Sequence, residues 1–192
     1  MTKSIDWFYK VVRIAGVNFP VAASFVQLQA ELDSIAMYKR IEKLEDPISY
    51  LHEDIQEVSN LIYAQLVEED SVNLNFNDEF YLKYSRPLAT LTKSGYISQN
   101  NVMGSIIPIG INLIDPSFIL YMCVITGDSK AMDNLVKIVD ECPVGQWLNG
   151  RTLKEDLTIP IYVIRAVFEV YQAKGYGLLS REIGSCNYMG TN

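Results

Sequence analysis

Five apolar residues, Val21, Phe25, Leu28, Leu32 and Ile35, recur at spacings of four, three, four and three in a segment with neither Gly nor Pro from Val21 to Glu45. This spacing predicts a long amphipathic helix with one apolar seam. Pro20 stands where the first helical turn would begin, and Asp46-Pro47 ends the run, because the residue before a proline is pushed out of the α region. Glu31, Asp33, Lys39, Arg40, Glu42 and Lys43 fall on the other faces. The seam fits either the chain's own core or a partner helix. Read as a partner surface, Val21, Phe25, Leu28, Leu32 and Ile35 form an oligomer interface, and the chain is expected to pair with itself or with another protein.

Charge separates the N-terminal third from the rest of the chain. Of 192 residues, 16 are Lys or Arg and 23 are Asp or Glu, for a formal net charge of -7. Residues 1–70 hold six of the basic groups and twelve of the acidic ones, leaving the remainder nearly neutral. The strong overall basicity of a general nucleic-acid coater is absent, although the later residues are not excluded from such a role. Half the residues are apolar and a fifth charged, which excludes a disordered chain.

A single His excludes a multi-histidine metal site. The three Cys at 123, 142 and 186 are widely spaced, which suits neither a disulfide framework nor a Cys-x-x-Cys metal site, and points to a reducing, cytoplasmic setting. Asp6, Lys10 and Arg13 interrupt any apolar core of a signal peptide. The most apolar stretch, Ile106 to Ile125, contains Pro108, Gly110, Asp115 and Pro116, and so reads as a strand, a turn and a new helix rather than a membrane span.

Further along, Ile55, Val58, Leu61, Ile62, Ala64 and Leu66 give Glu53 to Glu69 helical periodicity. Val72, Leu74 and Phe76 alternate like a half-buried strand. Asn77 or Asp78 can cap a short helix through Tyr84, and Ser85 can cap the next, with Pro87 in its first turn and Gly95 as its stop. Tyr96-Ile97-Ser98 reads as a strand, Gln99 to Gly104 as a polar loop, and Ser105 to Ile109 as a returning strand that Pro108 would place at an edge. A competing reading pairs Val72–Phe76 with Phe80–Tyr84 as a hairpin. Asp115-Pro116 opens an apolar helix, and Asp128 caps another with Met132, Leu135, Val136, Ile138 and Val139 inward.

The segment Leu88-x-x-Leu91-Thr92-Lys93-Ser94-Gly95-Tyr96-Ile97, followed by a loop and Gly104-Ser105-Ile106-Ile107, resembles the third helix and wing of winged helix-turn-helix domains. The stretch Thr152 to Pro160, then Ile161 to Tyr171, then Lys174 to Ser180, resembles a second such unit. Together the two cover about half the chain. The resemblance implies a mainly α fold with small β elements, winged-helix-like units preceded by the long amphipathic helix. The implied regions are 1–46 for assembly, 47–112 for the first unit and 113–192 for a helical region with the second.

Winged helices bind DNA or proteins. A reading helix needs Arg, Lys, Asn or Gln on its outer face. Ile161–Lys174 is too apolar for that, and suits a helix packed between elements. Arg86, Lys93, Arg165 and Arg181 are the candidate DNA contacts. Tyr84, Tyr96 and Tyr176, near the wings, are candidate surface aromatics. No phosphate-binding loop is present. His52, the only imidazole available to a catalytic pair, sits among acids at a helix start, and the adjacent carboxylates Glu155-Asp156 and Asp140-Glu141 diverge on a helix. The expectation is a non-catalytic module without cofactor or metal, acting through protein contacts; the alternative is a DNA-binding transcriptional regulator of winged-helix type.

Overall fold

A computed structural model of the chain describes residues 54–126, 129–180 and 186–191. Over these residues the protein is mainly helical, with two three-stranded antiparallel sheets. The seam Val21, Phe25, Leu28, Leu32 and Ile35 lies outside the described residues, as do His52, Asp128 and Arg181.

Helix α1 spans Ile55–Glu69 and buries Ile55, Val58, Ile62 and Leu66 of the residues its periodicity predicts, together with Tyr63, whereas Leu61 and Ala64 of that pattern are exposed. Asp70 follows it in the left-handed region at φ 45°. The alternation across Val72–Phe76 yields only a short strand, β1 (Asn73–Leu74). Helix α2 (Asp78–Lys83) starts where the Asn77 side chain accepts the Phe80 amide at 2.9 Å. This helix removes the alternative hairpin across Asn77-Asp78. Helix α3 (Ser85–Lys93) follows almost without a break. Ser85 is its first helical residue rather than its cap, because Tyr84 occupies the junction between α2 and α3.

Gly95, at φ 80°, turns the chain out of α3 into β2 (Ile97–Asn100). The returning strand is β3, Gly110–Leu113, not Ser105–Ile109. It is also central, since the sheet order is β1-β3-β2. Pro108 has no amide to donate to a ladder and so stays in the loop, which leaves Gly110 to Leu113 to pair on both sides.

Helix α4 (Pro116–Ile125) begins as the sequence implies, the Asp115 carboxylate accepting the Ser117 amide at 2.7 Å. All residues from Ser117 to Cys123 are buried. Helix α5 (Ser129–Asp140) buries Met132, Leu135, Val136 and Val139. Strand β4 (Trp147–Asn149) runs into α6 (Gly150–Leu157), which the Asn149 side chain caps through the Arg151 amide at 2.9 Å. Helix α7 (Ile161–Ala173) follows, then β5 (Gly177–Leu179) and β6 (Asn187–Gly190), in the sheet order β4-β6-β5.

The second series repeats the first. Each runs helix, strand, helix, helix, strand, strand, and each places its last strand between the other two. Helix α4 lies between the series, packed against both α7 and α1. One hydrophobic cluster extends from Ile55 to Tyr188 and includes residues of both. A polar tie joins α5 to α7, where the Tyr171 hydroxyl donates to Asp140 at 2.6 Å. An ion pair between Asp70, just after α1, and Lys154 of α6 joins the two series at the surface.

Candidate functional site

In the first series α3 is held by one face. Pro87, Leu88 and Leu91 are buried, while Arg86, Ala89, Thr92 and Lys93 are exposed. Arg86 and Lys93 are seven residues apart, two helical turns, so they share one side about 10 Å apart along the axis. Neither belongs to an ion pair among the described residues. Gln99 of β2 donates to the Thr92 hydroxyl at 3.0 Å, which ties the strand to the outer surface of the helix.

Lys83, Lys154 and Arg165, by contrast, are occupied. Lys83 donates to the Tyr84 hydroxyl at 2.7 Å and to Glu57 at 3.3 Å, and Tyr84 donates a short hydrogen bond to Glu57. The Tyr84 and Glu57 bonds hold the Lys83 ammonium above its ordinary range, and the Tyr84 and Lys83 bonds hold the Glu57 carboxyl below its own. Lys154 is paired with Asp70. Arg165 bonds Glu169 one turn along α7 at 2.9 Å, which raises its already high pKa. Of the four candidate DNA contacts, therefore, α3 carries Arg86 and Lys93 together, α7 carries Arg165 in a paired state, and Arg181 lies outside the described residues.

No protein-family model matches the chain, and neither a curated protein nor a solved structure matches it.

Helix α7 has little free surface. Val163, Ile164, Ala166, Val167, Phe168, Val170 and Tyr171 are buried, as its apolar composition predicts. The tyrosines expected at the surface are covered as well. Tyr84 and Tyr96 are 5% and 2% exposed, and only Tyr176 of that set is half-buried. Burial, with Asp115 nearby as a second cause, pushes the Tyr96 hydroxyl up to about 12.

The loop between β2 and β3 holds exposed residues that sequence reasoning does not single out. Val102 and Ile109 are about half exposed, and Met103 and Ile106 fully so. The Ser105 hydroxyl bonds the backbone of Ile107 at the loop's end, so the tip is shaped by its own chain. The signal in the sequence is that residues 99–109 include no charged side chain. An apolar run next to a Pro reads as a buried strand, and only its position beyond the sheet exposes it. Among the described residues no cluster of three His, Cys, Asp or Glu side chains could hold a metal ion, and no helix is long and apolar enough to cross a membrane.

Proposed function

We propose that the chain carries two winged-helix-like units in tandem and works as a non-catalytic protein-interaction and assembly module in the cytoplasm, self-associating through the seam helix at Val21–Ile35. The repeated order of elements, with the last strand central in each sheet, supports the two-unit reading. The observation that carries the functional reading is the burial of α7. In a DNA-reading unit the third helix stands free, with polar and basic side chains outward. Here it is packed into the core, and its only cation, Arg165, bonds Glu169. The uncharged, apolar tip of the first loop is likewise suited to protein rather than phosphate.

Sedimentation velocity on the full chain tests this reading. The wild type is expected to exceed monomer mass at micromolar concentration, and Leu28→Asp with Leu32→Asp to lower that mass. A monomeric wild type, or an unchanged mass in the variant, refutes the seam as an interface.

A second reading, DNA binding by the first unit, is favoured by one observation: Arg86 and Lys93 share the exposed side of α3 with no ion-pair partner among the described residues. Fluorescence anisotropy with a labelled duplex at about 50 mM salt decides it, since charge-driven affinity is greatest at low salt. Micromolar binding that Arg86→Ala with Lys93→Ala weakens would replace the assembly reading of this unit.

A further inference from the structure

In the second series a strand and a helix meet on one dipeptide. Asn149 ends β4 and caps α6, its side-chain oxygen accepting the Arg151 amide at 2.9 Å and the Thr152 amide at 3.4 Å. Gly150 is the first residue of α6, and its amide donates to the Cys186 carbonyl at 2.6 Å. A Cβ at position 150 would fall on that carbonyl oxygen and on the Cys186 Sγ, so the close approach of the chain just before β6 admits only glycine. In the first series Asn77 caps α2 in the same way, but Asp78 follows it. Capping alone therefore does not call for glycine; the contact with Cys186 does. The two demands together produce the one Asn-Gly dipeptide in the chain.

Asn-Gly is the sequence in which a chain attacks its own side chain most readily, because no side chain shields the glycine nitrogen and the backbone there turns freely. The Gly150 nitrogen gives up its proton and adds to the Asn149 Cγ. The Cγ–Nδ2 bond breaks, and the amide nitrogen leaves with a proton as ammonia, closing a five-membered imide. Water then opens the imide at one carbonyl or the other. The products are aspartate at position 149, or an isoaspartyl link in which the main chain runs through Cβ. We propose that Asn149-Gly150 is a latent site of this modification, inert in the folded junction and reactive when β6 and Cys186 before it detach, so that opening of the second sheet is recorded as a covalent change.

Solvent is not what protects the site, since Asn149 is exposed and water reaches it. The barrier is the backbone. Ring closure requires the Gly150 nitrogen to eclipse Cβ about the Asn149 Cα–C bond, and at ψ 116° it stands roughly a third of a turn away. The ψ that closes the ring, about -120°, lies between the allowed β and α regions, so a residue held in either does not drift into it. Turning to it also breaks the Gly150 bond to Cys186, both capping bonds and the Asn149–Asn187 end of the β4–β6 ladder. Strand β6 is in turn anchored by Tyr188, which is buried and stacked on Phe168. The two products differ in fit. Aspartate is as good a cap as asparagine and adds a favourable charge at the start of α6. The isoaspartyl link lengthens the main chain beside Gly150, where Cys186 leaves no space even for a methyl, so that chain does not re-form the junction.

The test incubates the full chain in warm, mildly alkaline buffer and follows the peptide containing Asn149 by mass spectrometry, the signature being NH lost and O gained. Asn77-Asp78 in the same chain is the internal control. In guanidinium, Asn149 is expected to convert to aspartate and isoaspartate well ahead of Asn77. In the folded protein its conversion is expected to be at least about 30-fold slower than in guanidinium, since only the opened fraction reacts. Gly177→Ala, whose methyl falls on Tyr188 of β6, is expected to raise the folded-state rate at least about tenfold. Should that variant not fold, denaturant below the unfolding midpoint of the wild type reads the same opening, the rate climbing with the opened fraction. After refolding, the isoaspartyl fraction is expected to melt below the wild type and Asn149→Asp to melt with it. A folded chain that converts as fast as the unfolded one overturns the proposal. So does an unfolded Asn149 no faster than Asn77, a folded-state rate indifferent to Gly177→Ala and to denaturant, or an isoaspartyl fraction as stable as Asn149→Asp.

Discussion

Gly177→Ala reverses the sign expected from local chemistry. A glycine inside a strand is less favourable than alanine by about 0.5–1 kcal/mol, so the substitution alone would stabilise β5. The packing dictates the opposite. A Cβ at Gly177 falls on the Cζ, Cε2 and hydroxyl of Tyr188. That ring is 1% exposed, stacks on Phe168 at 5.1 Å between centroids and meets Tyr171 edge-on at 6.2 Å. Its hydroxyl donates to the Tyr176 carbonyl at 2.9 Å. To admit the methyl, the ring must leave this position. Forcing volume into a filled core costs about 1–3 kcal/mol. The hydroxyl bond adds about 1 kcal/mol, and the ring contacts about 0.5–1.5 kcal/mol. Against the strand gain, the net loss is about 3 kcal/mol. With a urea slope near 2 kcal/mol/M, the unfolding midpoint falls by about 1.5 M. In a Tyr188→Leu background the methyl has room, and Gly177→Ala then costs about 1 kcal/mol or less, a non-additivity that a double-mutant cycle reads directly. A loss below about 1 kcal/mol in the wild-type background, or equal losses in both, would refute the close-packing argument.

Three more perturbations test other parts of the molecule. Lys154→Ala removes the tie to Asp70; the pair lies at the surface with both side chains partly exposed, so the loss is below about 1 kcal/mol and disappears in 1 M salt, as paired denaturant curves would reveal. Burial raises the Asp115 pKa, so the folded state holds that proton more tightly than the unfolded one, and stability falls as pH rises from about 4 through the raised value. Asp115→Asn keeps a capping oxygen, so the variant should melt higher than wild type at pH 7 and lose that advantage at pH 3; a lower melting temperature at pH 7 would contradict this. All three thiols are buried, and burial pushes Cys186 up to about 11, so a disulfide reagent at pH 8 should label none in the folded protein and all three in guanidinium.

The parts of the fold legible in the sequence are those decided by neighbours in the chain. Asn77 and Asp115 cap α2 and α4 because a short side-chain oxygen reaches amides two or three residues ahead. The apolar stretch in α4 follows from composition, and the burial of Ile55, Val58, Ile62 and Leu66 in α1 from period. Strand β4 carries no such signal, because Trp147–Asn149 is too short to alternate and exists only through pairing with β6, some forty residues away. Apolarity points to Ser105–Ile109 as the returning strand, yet Pro108 disqualifies that segment from a ladder, while Gly110–Leu113 has partners on both sides. The candidate surfaces divide in the same way. Arg86 and Lys93 share a face by helical spacing alone, whereas the exposure of Met103, Ile106 and Trp147 depends on where the sheets end.

Helix α4 sets a constraint on how the protein is made. Its side chains from Phe118 to Cys123 are covered on one side by α1, which precedes it, and on another by α7, which begins more than thirty residues later. At synthesis rates of about 5–20 residues per second, the α7-facing side of α4 waits seconds for its cover after leaving the ribosome. During that interval Phe118, Leu120 and Met122 present a sticky surface on a nascent chain. The burial of α4 is complete only once the second series has been translated.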